Sequence, residues 1–175
     1  MGLEGTLDAD GAQKLLDGMH YDYQAGASHR IYSPVETYNC KAANCINGAL
    51  LAAYSMGIEP NLLFMMINGN SHVVLIVEDV NGILGAVGKS RDKRYQGRPI
   101  GFYSIEELAR SYEPCNFYVT CNWENHHPNW KRTKNSMEPP FRYLTDNRVF
   151  LDNSQIDLAI FPEPLSSRLV CPHQI

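Results

Sequence analysis

Two residues of this sequence have types and positions suited to acyl-transfer chemistry: Cys45, opening a strongly helical segment, and His72, at the mouth of an apolar extended one. At the first turn of a helix the unpaired N–H groups and the macrodipole favour negative charge, which raises the thiolate fraction of a cysteine. A thiolate that attacks a carbonyl also needs a base able to return a proton to the leaving group, and imidazole does both near neutral pH. Taken singly, such a cysteine packs as a small apolar residue and such a histidine as a satisfied strand-end group. The pair points to catalysis. Cys40 is a rival nucleophile, but it precedes the helix and lacks the dipole argument. An oxyanion needs donors where its charge develops: the Cys45 N–H and, as a second, the side chain of Asn44 or Asn39. Each asparagine serves equally well as a helix cap or turn residue.

The other reactive side chains fall into weaker patterns. Cys115, Cys121, His126, His127, Cys171 and His173 match no paired zinc-ligand spacing, so neither metal nor cofactor is expected. Lys89, Arg91, Lys93, Arg94 and Arg98 form a basic run opposed by Asp92 alone. A solvated loop is the default for such a run, but beside a cleft it would select acidic or carboxylate-bearing substrates. Trp123 and Trp130 bracket His126-His127-Pro128 and are either core anchors or a substrate wall on a lid.

The elements that must position these groups follow from periodicity. Residues 44–56 form the strongest helix, with Ile46, Ala49, Leu50 and Ala53 on one stripe and Gly57 and Pro60 closing it. Residues 61–67 and 72–79 read as strands. Asn81-Gly82 then turns the chain into a returning strand over 83–87. Residues 8–20 suit a short amphipathic helix, and 21–39 an irregular Tyr-rich approach. Residues 104–112 suit a helix capped by Ser104 and boxed by Glu107. Residues 117–120, 148–151 and 158–161 are further strand candidates, and 122–140 a long polar loop or lid. One helix followed by an antiparallel meander is an α+β arrangement.

The segment Asn44-Cys45-Ile46-Asn47-Gly48-Ala49-Leu50, ending in Gly57-Ile58-Glu59-Pro60, resembles the nucleophile helix of the transglutaminase-like superfamily of papain-like cysteine enzymes. Ser71-His72-Val73-Val74-Leu75-Ile76-Val77-Glu78-Asp79, with Asn81-Gly82 after it, is similar to that family's histidine strand and hairpin. The resemblance covers roughly residues 30–90, about a third of the chain. It implies a nucleophile helix packed on an antiparallel sheet, a Cys–His–acid triad, and acyl transfer through a thioester to water or an amine. The place of the family's acid falls on Gly88. Asp92 is the preferred substitute, with Ser90, Asp79 and Glu78 as neighbours a slip or bulge would recruit. Papain-like enzymes carry an oxyanion-hole Gln a few residues before the cysteine, where this chain has Asn39.

The 175 residues suffice for a single domain with a real core, expected over 1–175. A net charge of −4 gives no reason to expect nucleic acid or an anionic membrane. The first residues lack a basic start and apolar run, and five cysteines argue against a disulfide framework. The expectation is reduced thiols in the cytoplasm. The function expected is a cysteine peptidase, amidase or transglutaminase acting on a peptide or protein amide. The alternative is a non-catalytic peptide-binding or scaffold domain with an incomplete triad.

Overall fold

The structure, a computed structural model, describes residues 2–23, 30–132, 135–136 and 149–150. The chain order is α1 (Ala9–Asp17), β1 (His20–Tyr21), β2 (Arg30–Ile31), α2 (Pro34–Cys40), β3 (Ala42–Ala43) and α3 (Cys45–Met56). Then come β4 (Asn61–Ile67), β5 (Asn70–Glu78), β6 (Leu84–Val87), β7 (Arg98–Phe102), α4 (Ile105–Arg110) and β8 (Cys115–Asn122). The helical turn α5 (Trp123–His126) and the short strands β9 (Asn135–Ser136) and β10 (Val149–Phe150) follow. The fold is α+β. Its centre is a six-stranded sheet in the order β10-β8-β4-β5-β6-β7, every neighbour antiparallel. The strand expected over 158–161 lies outside the described residues.

The sheet carries a core on each face. Leu62, Phe64, Val73, Leu75 and Val77 face α3 and α1. Leu63, Met65, Ile67 and Val74 face Leu108, Ala109 and Tyr112 at the end of α4. Because strand side chains alternate sides, both faces of β4 and β5 are apolar, which explains their unbroken hydrophobic runs.

α3 begins and ends where its sequence dictates. The Asn44 side-chain oxygen accepts the Asn47 N–H at 2.9 Å, and Gly57 takes the left-handed conformation (φ 67°) that closes the helix. The irregular approach expected over 21–39 is corrected by α2. Ser33 and Glu36 form a reciprocal capping box and Pro34 opens the helix. That signature is local to Ser33-Pro34-Val35-Glu36.

α1 is shorter than the 8–20 pattern, stopping at Gly18 before β1 pairs in parallel with β3. The Ser104 oxygen does accept the Glu107 N–H, but the Glu107 carboxylate reaches the Tyr103 N–H, one residue before the expected box partner. The basic run leads into a strand that the sequence reading omitted, β7, with a 3-10 turn (Lys93–Tyr95) before it.

Candidate functional site

Cys45 is the first residue of α3, partly buried against the core between α3 and the sheet. Its sulfur accepts from the backbone N–H groups of Val73 and Ile46 and from its own, all of which favour the thiolate. Burial outweighs them and pushes the thiol above its ordinary value. The Tyr21 phenol lies within the electrostatic reach of Cys45 and Arg91. Burial first, and Cys45 second, push it up to about 12.

His72 does not join Cys45. On β5 it alternates with Val73, which faces α3, so its imidazole emerges on the opposite face of the sheet. Its cross-strand partner Met65 belongs to the second core. The ring lies 5.9 Å from that of Tyr112 and 6.4 Å from that of Tyr95. There it is buried and its pKa falls to about 4, chiefly by desolvation, with the Arg98 charge adding to the fall and the Tyr95 carbonyl opposing it. The expected dyad is therefore corrected. The sulfur rests on the Val73 N–H, while the neighbouring imidazole is buried toward Tyr95 and Tyr112 on the side of the second core.

The expected third group is corrected as well. Asp92 caps the 3-10 turn and pairs with Arg94 at 2.6 Å, bonds that hold its carboxyl at about 2. Ser90 accepts the Asp92 N–H, while Asp79 accepts the N–H groups of Asn81 and Ile83 in the hairpin. Asp79 and Glu78 stand at the far end of β5 from His72, about 20 Å along the strand. Gly88 occupies the acid position for a steric reason. A Cβ there would lie 2.6 Å from Val74 Cγ1.

Asn44 acts as the cap of α3, its oxygen committed to Asn47, and Asn39 lies exposed on α2. Neither is placed as the oxyanion donor it was expected to be. Cys40 is disulfide-bonded, so the expectation of uniformly reduced thiols fails there; Cys45, Cys115 and Cys121 are free.

Trp123 and Trp130 are fully buried, which overturns their reading as a substrate wall on a lid. Trp123 stacks on Phe64 and His127, and its backbone N–H donates to the Pro60 carbonyl, placing it beyond the C-terminal end of α3. That is about 18 Å from Cys45 along the helix. The basic run is also largely structural. Lys89 is buried, donating to the Leu16 and Met19 carbonyls at the end of α1 (2.7 and 2.6 Å). Arg98 donates to Ser111 and to the carbonyls of Arg94, Gln96 and Gly97. Among the described residues no cluster of His, Cys, Asp and Glu is arranged to hold a metal, and no helix is long and apolar enough to cross a membrane. The chain matches no family model and no curated relative.

Proposed function

We propose that this chain is a non-catalytic peptide-binding or scaffold domain that keeps a transglutaminase-like, papain-like arrangement and has an incomplete triad. The observation that carries the reading is the placement of Cys45 and His72 on opposite faces of β5. A thiol raised by burial supports it, as does an acid position where only glycine fits beside Val74. With His72 turned toward Tyr112, the base expected to carry a proton to a leaving group does not face the sulfur.

A second reading has its own support. Three backbone N–H groups converge on the Cys45 sulfur, an arrangement that also suits an acyl-transfer nucleophile acting on a peptide or protein amide. The pH profile of iodoacetamide labelling separates the two. A binding domain gives a Cys45 rate that rises only above about pH 8.5, as for an ordinary or hindered thiol. Fast labelling near pH 6 that disappears in Cys45→Ala would establish the enzyme.

A further inference from the structure

On the face of the sheet away from Cys45, residues 93–112 form a cover: the 3-10 turn, α4 and Tyr112 pack on that face, joined through β7, the edge strand paired with β6. Leu108, Ala109 and Tyr112 are fully buried there against Leu63, Met65 and Val74. Arg98 ties the two ends of this cover together through Ser111 and the carbonyls at 94, 96 and 97. Its guanidinium lies 3.9 Å from the Tyr112 ring centroid.

Under the cover sits one titratable group that the fold can hold in a single charge state. We propose that His72 is an acid-sensitive latch. Neutral, it keeps the 93–112 cover seated on the sheet; protonated, it releases the cover while the α3 side stays folded.

The geometry supports each half. The neutral ring has the Tyr95 carbonyl beside it, and its Nε2 is buried with no hydrogen-bond partner among the described residues. Protonation adds an N–H at Nε2 with no acceptor in place, and the positive charge arises beside Arg98. Both costs fall on the cover, because the groups facing the imidazole are mostly its own: Tyr95 from the 3-10 turn, Arg98 from β7, and Tyr112 after α4. β4 presents the uncharged Met65. Asp92, half-buried, and Arg94, exposed, flank the same turn and neutralise each other.

On the other face His127 also has a buried Nε2 without a hydrogen-bond partner among the described residues, but it stacks on Trp123 beyond the C-terminal end of α3, away from the contacts that hold α1. Lys89 and Gln13 pin α1 to the chain after β6 through carbonyls and an amide, none of which titrates between pH 7 and 4 in the sense of losing its partner. The sign is fixed by burial. The unfolded chain protonates His72 near 6.5 and the folded chain only near 4, so the closed cover loses stability as pH falls through that window.

The test is amide hydrogen exchange resolved by residue between pH 7 and 4, with the His72 imidazole followed by NMR on the same samples. We expect amides of residues 93–112 and of the start of β5 to lose protection together with His72 protonation, while α3 and α1 keep theirs. In His72→Phe the loss should move down by at least about one pH unit. Arg98→Met, which leaves His72 in place, should let the imidazole titrate at higher pH. Simultaneous loss of protection at α3 and the cover overturns the proposal. So does a cover that stays protected after the imidazole has titrated. Should His72→Phe not fold, the wild-type and Arg98→Met titrations still decide.

Discussion

At the residue scale, the expected dyad turns on which way one imidazole points. His72 packs beside Tyr112 of the second core instead of joining Cys45. Gly88 stands where the resemblance implies an acid. Placing one there as Gly88→Asp should not activate Cys45. Its Cβ would meet Val74 Cγ1 at 2.6 Å, an overpacking that costs about 1–3 kcal/mol before the buried charge is counted. Chemical denaturation should show the loss, and an increase in Cys45 labelling rate at pH 7 would contradict the steric account. Asp92→Ala should leave Cys45 labelling unchanged, because its carboxylate serves Arg94 and the 3-10 turn.

At the element scale, register decides what each face carries. β5 pairs with β4 through Leu62↔Leu75 and Phe64↔Val73, which commits Val73, Leu75 and Val77 to α3 and sends His72, Val74 and Ile76 to the other face. A slip of one residue would exchange the two sets. The helices that frame this sheet depend on their caps. α2 is only seven residues, too short to hold itself without the Ser33–Glu36 box. Ser33→Ala should therefore cost about 1 kcal/mol in denaturant melts, and Ser33→Gly less. An unchanged midpoint would mean that packing of Pro34 and Thr37, with the Cys40 disulfide, holds α2 without the box.

At the scale of the whole molecule, long-range polar clamps join α1 to the sheet. The Gln13 amide donates to the Gly88 carbonyl and accepts the Gly88 N–H, at 3.1 and 3.0 Å across 75 residues of sequence. Gln13→Ala removes both bonds, at about 1 kcal/mol each, and should loosen α1 without moving His72. Exchange rates in α1 would rise while those under the cover stay fixed. Trp123→Ala is expected to be far more damaging. It empties a fully buried site that stacks on Phe64 beyond the end of α3, at about 3–5 kcal/mol.

Local rules account for what the sequence determined by itself. α3, with Asn44 before it and Gly57 after it, and the strands from Asn61 to Val87 follow from periodicity and caps that need no distant partner. A cap such as Ser33-Pro34-Val35-Glu36 was equally local, and was there to be read. The face on which His72 lies was not. β5 is apolar on both sides, so its composition carries no mark of which side meets α3, and pairing with β4 and packing of Tyr112 settle it. The same holds for Lys89 and Arg98, whose charges look solvated in sequence and are structural donors in the fold. Their partners lie up to 73 residues away for Lys89, and a hydrogen bond of that span is formed by the tertiary structure alone.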